Sequence, residues 1–178
     1  METVIKVKNS IRSRGLRHRQ FKSFLEECDS KYGDLSYHSN VRRYIVFLEL
    51  REEIALFMKS QNLPVPQLEE QTWICDLAFL ADLTGHLNNL NTSLQGKGLV
   101  ITDMYYRVKA FKMSLDLWAH QLVAGNTVHF PKLSQLSFEE YVQILQNLVC
   151  QFESRFQDVD AFSNMFELFA TPYSVDVN

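Results

Sequence analysis

Two stretches of the sequence place apolar residues at alternating intervals of four and three positions, the spacing of the buried seam in a packed helix pair. The first stretch has two polar exceptions, Thr84 and Asn91, and the second has none. The seam positions are Trp73, Leu77, Leu80, Thr84, Leu87, Asn91 and Leu94, then Ile101, Met104, Val108, Phe111, Leu115, Trp118 and Leu122. The pattern predicts two long helices of about 35 Å each.

A short connection joins these two predicted helices. Residues 95–98, Gln-Gly-Lys-Gly, break a helix, and a connection this short makes the flanking helices antiparallel neighbours. Gly125 and Asn126 end the second helix in the manner expected of a helix C-terminus. The sequence therefore predicts a helical hairpin from Thr72 to Ala124.

The rest of the chain predicts further helices and no sheet, because no stretch shows several strands with period-two alternation. Pro64 and Pro66 end one helix, and Ser137 with Glu140 forms a capping box that begins another. We expect an all-α bundle around the hairpin, forming a single domain over residues 1–178. Its parts are basic N-terminal helices over 1–30, helix 41–60, hairpin 72–124, helix 137–158 and a Phe-rich tail over 161–178.

Composition narrows the class of protein. The chain is 46% hydrophobic with 13 Phe, enough to bury a core, and no apolar run approaches the roughly 20 residues of a membrane span. The N-terminus has no apolar segment of the kind found in secretory signals. Three widely separated cysteines support neither a disulfide framework nor a zinc module, so we expect buried thiols and an intracellular protein.

Charge is distributed unevenly along the chain. Residues 1–22 carry a net charge of +6, whereas the remainder carries −9. Phosphate backbones bind such basic patches by counterion release, so we hypothesise weak, sequence-nonspecific nucleic-acid binding. The candidate residues are Arg12, Arg14, Arg17 and Arg19. The alternative is a solvated face of a small amphipathic helix, or a face packed against acidic side chains elsewhere.

No catalytic pattern accompanies these elements. Asp76 and Asp82 are six positions apart and point to different faces of one helix, and Asp103 complements the dipole of the second arm. The five histidines lack metal-ligand spacing, and the glycines near Lys97 lack the remainder of a phosphate-binding loop. We expect no catalytic residue, no metal, no cofactor and no small-molecule substrate. The residues alone do not exclude a serine or cysteine nucleophile.

Several strings of the sequence resemble transposase-derived proteins of the hAT superfamily. The group includes the transposase-like regions of general transcription factor II-I repeat domain-containing proteins and of BED and SCAN zinc-finger proteins. The strings occupy residues 11–21, 49–54, 76–82, 94–98, 101–105, 108–111, 166–169 and 175–177, in order along nearly the whole chain.

The resemblance implies a helical scaffold that lacks the catalytic residues of the transposase. In hAT transposases an RNase H-like domain carries an Asp-Asp-Glu metal triad and is interrupted by a helical insertion. This chain resembles the segment from after the second aspartate through most of that insertion, which implies no complete RNase H-like sheet and no catalytic residue here. Arg42 matches the arginine of an Arg-Trp motif, but the tryptophan has no counterpart between Val41 and Phe47.

The resemblance and the helical pattern together predict a non-enzymatic, domesticated transposase fragment that acts as a protein-interaction or dimerisation module. In the transposases the helical insertion packs against the RNase H-like core, which this chain lacks. We therefore expect Phe162, Phe166 and Phe169 to be exposed and to favour a protein partner or self-association. We expect the nucleus or cytoplasm as the location, with the nucleus favoured by the resemblance, and no membrane partner.

Overall fold

The computed structural model describes the backbone of residues 2–35, 40–96, 98–133 and 138–170, and this part of the chain contains helices and loops but no strand. The predicted all-α class is confirmed. The helices are α1 Glu2–Arg12, α2 Gly15–Glu27, α3 Asn40–Glu49, α4 Arg51–Ser60, a 3₁₀ helix Pro66–Glu69, α5 Gln71–Ser93, α6 Ile101–Val123, α7 Glu139–Asp160 and α8 Ser163–Ala170. None of these helices is long and apolar enough to cross a bilayer.

The chain forms two compact units. Unit 1 consists of Met1–Gly85 and Phe130–Leu136, and unit 2 consists of His86–His129 and Ser137–Asn178. The boundary falls within α5, so the start of that helix belongs to unit 1 and its end to unit 2. The single domain expected over residues 1–178 stays a prediction.

Unit 1 buries one apolar face from each of its first helices. Phe21 of α2 meets the ring of Phe57 of α4 edge to face, with ring centroids 5.0 Å apart. The core also takes Val4, Val7, Ile11, Leu25, Leu35, Phe47, Leu50, Ile54, Met58, Leu68, Leu77 and Ala81. The i, i+3, i+4 and i+7 spacing of these residues explains why α1, α2 and α4 form where they do.

An aromatic contact and an ionic contact fix a loop of unit 1 to the part of α5 that belongs to the same unit. Phe79 and Phe130 stack with ring centroids 5.1 Å apart. The carboxylate of Asp82 accepts hydrogen bonds from the backbone N–H of Lys132 at 3.0 Å and from its Nζ at 3.1 Å. Asp82 is buried, so the Lys132 ammonium compensates a charge that would otherwise be costly to remove from water.

Unit 2 is built mainly from α6 packed along α7. The buried face of α6 is Tyr105, Val108, Phe111, Leu115, Trp118, Ala119 and Leu122. The ring of Phe111 lies 5.5 Å from that of Phe152 on α7. Five of the seven seam positions predicted for this helix are therefore buried, while Ile101 is exposed at its first turn.

The two helices of the predicted hairpin are confirmed, but their antiparallel packing against each other is not. Both helices have the expected bounds within a few residues. Within unit 2, the His86 ring lies 4.2 Å from that of Trp118, and Arg107 donates to the carbonyl of Ser93. These contacts involve the last two turns of α5, and antiparallel pairing over the full length stays a prediction.

Other boundaries differ from those predicted. The helix expected over 41–60 is interrupted at Leu50, where ψ is 10°, although the amides of Leu50 and Ile54 still bond to the carbonyls four residues earlier. No glycine or proline marks this break in the sequence, which is why it was missed. The helix expected over 137–158 is α7, and the Ser137 of its predicted cap lies outside the described residues, as does the tail after Ala170.

Candidate interaction surfaces

Two of the four candidate arginines of the basic segment bind within the protein. Arg12 donates from Nη1 to the carbonyl oxygen of Leu35 at 2.7 Å. Arg17 donates from Nη1 to the carbonyl and to the hydroxyl oxygen of Ser10, both at 2.9 Å. Both side chains are half-buried. They join α1, α2 and the following loop rather than face solvent.

Asp34 draws three basic side chains onto the surface of unit 1. The Nε2 atom of His18 lies 2.9 Å from one carboxylate oxygen and 3.0 Å from the other. Lys22 Nζ lies 3.5 Å from Asp34 Oδ2, and Arg12 Nη1 lies 3.9 Å from the same oxygen. Part of the basic charge therefore faces a carboxylate of the same chain, which is the arrangement that the alternative hypothesis describes.

Arg14 and Arg19 are the exposed members of the candidate set. Arg14 precedes α2 in an extended conformation, and Arg19 lies on its outer side. The structure thus divides the four predicted residues into two that stabilise the fold and two that reach solvent. Only the second pair is available to a nucleic acid without breaking contacts within the chain.

A buried lysine adds to the positive charge near α1 and was not anticipated. Lys8 is buried, and burial lowers its pKa first, followed by repulsion from Arg43 and Arg12. The Nε atom of Arg43 is buried without a hydrogen-bond partner. The sequence did carry a signal, because Lys8 lies four positions after Val4 and three before Ile11, on the apolar face of α1.

The predicted Phe surface is only partly exposed. Phe162 is 51% exposed, but Phe166 is 9% exposed and packs on the ring of Tyr105, with centroids 5.1 Å apart. The expectation that Phe166 is exposed is therefore wrong, because α6 covers it within unit 2. The side chain of Phe169 lies outside the described residues. Met165 and Leu168 are exposed beside Phe162, and we call these three residues the α8 surface.

A second apolar surface lies along α6. Tyr106, Ala110, Met113 and Leu117 are exposed and follow one another at intervals of four, three and four. We call them the α6 stripe. Sequence reasoning missed it because the stronger seam of the same helix has the same spacing two positions earlier. The signal was the second apolar series itself.

Three of the polar residues considered for chemistry are held by contacts within the fold. Asp82 binds Lys132, and Asp103 accepts from the backbone N–H of Val100 at 3.5 Å at the start of α6. His86 donates from Nε2 to the carbonyl of His129 at 2.7 Å. Across residues 2–35, 40–96, 98–133 and 138–170, no three His, Cys, Asp or Glu side chains cluster to hold a metal ion.

The cysteines are less buried than expected. Cys75 is buried, as predicted, but Cys28 and Cys150 are exposed. Cys28 follows the last turn of α2, and Cys150 lies on the outer side of α7. The expectation of buried thiols is therefore wrong for these two.

The basic first helices, the two helical units and the absence of a strand among the described residues are features of a helical protein family that is already known. The chain belongs to the family described as the FAM200/GTF2IRD2 helical domain, whose model matches residues 1–123. It is 40% identical over 188 residues to general transcription factor II-I repeat domain-containing protein 2 of Bos taurus, and 40% identical over 189 residues to that of Mus musculus. These matches cover 99% and 100% of this chain.

The relatives are much longer than this chain. The chain spans 20% of the length of each of these two proteins. No solved structure matches it. The resemblance to general transcription factor II-I repeat domain-containing proteins that the sequence strings indicated is confirmed.

Proposed function

We propose that this chain is a non-enzymatic helical interaction module derived from a hAT-type transposase. The observation that carries the proposal is in unit 2, where α6 and α8 each bury one apolar face and leave another apolar face in water. Phe166 shows this for α8, because it packs on Tyr105 while Met165 and Leu168 remain exposed. Contiguous exposed apolar side chains of this kind mark interaction sites.

The state of the polar residues supports a role without catalysis. Asp34, Asp82 and His86 are each held by contacts within the fold. A general acid or base needs a cleft in which it can reach a substrate. Residues held in this way serve the scaffold instead. Because the relatives carry the name of a general transcription factor, we extend the proposal to a nuclear location.

Binding of a purified partner tests the interaction role. Proteins captured from cells by the full chain are purified and titrated against it by calorimetry. We expect the double variant M165E/L168E to weaken direct binding at least tenfold, because two charges are placed on the α8 surface. The matched control Q151E/S154E adds the same charges at exposed positions of α7 and is expected to bind like the unmodified chain.

Two results would contradict this proposal. The first is equal direct binding of every captured partner by both double variants, which would remove the α8 surface from the interaction. The second is cleavage or strand transfer of DNA by the purified chain in the presence of a divalent metal ion, which would make the protein an enzyme.

Nucleic-acid binding is a second candidate, and the exposure of Arg14 and Arg19 favours it. Two exposed guanidinium groups allow few phosphate contacts, so such binding is weak and sensitive to salt.

A further inference from the structure

The α6 stripe has the geometry of a helix-pairing seam. Its intervals of four, three and four repeat those of a coiled-coil core, and its larger members are well exposed: Met113 at 67% and Leu117 at 52%. The opposite face of α6 is already buried against α7. α6 therefore has two apolar faces: one is buried against α7, and the other, the α6 stripe, is exposed.

We infer that a second copy of this chain covers the stripe, with the two α6 helices antiparallel. The inference rests on the proposed interaction role and names the partner at this surface. A two-fold axis makes such an interface self-complementary, so that each residue meets one member of the same stripe. With the axis between Ala110 and Met113, Ala110 of one copy faces Met113 of the other, and Tyr106 faces Leu117. The two central layers then each pair a small side chain with a large one, and the two outer layers each pair two large ones.

The charges beside the stripe argue for a second copy. Lys109 and Asp116 are both exposed and lie on the same flank of the stripe, one near each end. In the antiparallel register, Lys109 of each copy faces Asp116 of the other, so the dimer gains two opposite-charge pairs. Flanking pairs of this type select partner and orientation in helix pairs.

The polar residues that extend the stripe argue for the same register. Asp103 and His120 continue the spacing by three positions at the two ends, and both are exposed. Antiparallel pairing brings Asp103 of one copy to His120 of the other. Parallel pairing would instead place two Asp103 carboxylates together and leave Lys109 beside Ser114. The antiparallel arrangement is therefore the complementary one.

The expected dimer is weak. The seam from Asp103 to His120 is about 26 Å long, which is short for a stable interface. We expect association that depends on concentration over about 1 to 200 µM. Such a dimer would form readily when the chain is held at high local concentration within a longer protein.

Sedimentation equilibrium of the full chain tests the pairing. We expect M113E and D116K each to weaken dimerisation at least tenfold, the first by placing a charge in the seam and the second by placing like charges at the flank. The charge swap K109E/D116K is expected to restore the dimer to within about threefold, because it recreates the pairs in reverse. The control E153K, at an exposed position of α7, is expected to leave the dimer unchanged. Circular dichroism verifies that each variant is folded, since Lys109 also lies 5.8 Å from the ring centre of Tyr105.

Cysteine cross-linking tests the orientation, in a C28S/C150S background that removes the exposed thiols. In the antiparallel register, the two copies of residue 113 are offset by about 5 Å along the helix axis, and those of residue 117 by about 17 Å. We expect M113C to form an intermolecular disulfide and L117C to form none.

Four results would overturn the inference: a monomer at all concentrations, a dimer unaffected by M113E, failure of the charge swap to restore what D116K disrupts, or cross-linking at both cysteines. A monomer that still binds a purified partner through the α8 surface would contradict the inferred dimer but would still support the proposed interaction role.

Discussion

Asp82 is a buried carboxylate whose charge is compensated by Lys132. Its carboxylate receives both the backbone N–H and the ammonium of Lys132. We expect D82N to lower the free energy of unfolding by about 2 kcal/mol and K132M by about 3 kcal/mol, because the second change leaves a carboxylate buried without its cation. Urea denaturation of both variants measures these losses.

The double variant D82N/K132M separates the ion pair from general damage to the site. Once both charges are removed, neither is left uncompensated, so we expect its loss to be smaller than the sum of the single losses by at least about 1 kcal/mol. Simple additivity of the two single losses would show that the pair is not coupled.

Glu49 gives unit 1 a dependence on pH. Tyr32 donates to its carboxylate at 2.6 Å and Lys31 does so at 2.9 Å, and these bonds, the tyrosine's first, lower the pKa of Glu49. The unfolded chain therefore binds the proton more readily. The stabilisation is present above the unfolded pKa of about 4.3 and is lost as pH falls through the lower folded pKa.

The same cluster raises the pKa of Lys31, chiefly through its hydrogen bond to Glu49, so that part of the stabilisation is lost only as pH rises above the usual lysine range. We expect the difference in unfolding free energy between the unmodified chain and E49Q to be constant near neutral pH and to shrink below about pH 4. Denaturation at several pH values measures it, with E26Q at an exposed position of α2 as control. A difference that grows in acid would contradict the assignment.

At the scale of elements, the sequence predicted most of the helices because glycine and proline separate the periodic stretches. Gln95 to Gly98 divides α5 from α6, and Pro64 ends the region of α4. The partners of each side chain could not be predicted in this way. Periodicity shows which face of α8 is apolar, but not that Tyr105 covers Phe166. Likewise, Arg12 points inward because a carbonyl 23 positions later accepts its hydrogen bond.

Phe166 packs α8 against α6 through its contact with Tyr105. A helix of eight residues is not stable alone in water, so its order depends on packing. We expect F166A to lower the free energy of unfolding by about 2 kcal/mol and to remove the protection of α8 amides in hydrogen exchange. The exposed Phe162 supplies the matched comparison, since F162A is expected to change stability by less than about 0.5 kcal/mol and to keep that protection. Equal effects of the two substitutions would show that Tyr105 does not anchor α8.

At the scale of the whole molecule, the positive charge is concentrated in the first 22 residues and is partly neutralised where it lies. Arg12, His18 and Lys22 all approach Asp34. A prediction from sequence counts every cationic side chain in the segment. A phosphate backbone, however, contacts only the side chains that it can reach. The structure therefore lowers the expected number of phosphate contacts to about two, those of Arg14 and Arg19.

This number sets a quantitative expectation for nucleic-acid binding. With about two phosphate contacts, the logarithm of the association constant is expected to fall with the logarithm of salt concentration with a slope of about −2. Fluorescence anisotropy with a labelled DNA duplex between about 25 and 150 mM salt measures this slope. R14E/R19E is expected to abolish binding. The control K59E/R155E makes the same change in net charge at exposed positions of α4 and α7. It is expected to bind more strongly than R14E/R19E. Equal loss in both variants would show that only net charge matters. No binding at the lowest salt would exclude the nucleic-acid role, and the apolar surfaces of α6 and α8 would remain as the proposed interaction sites.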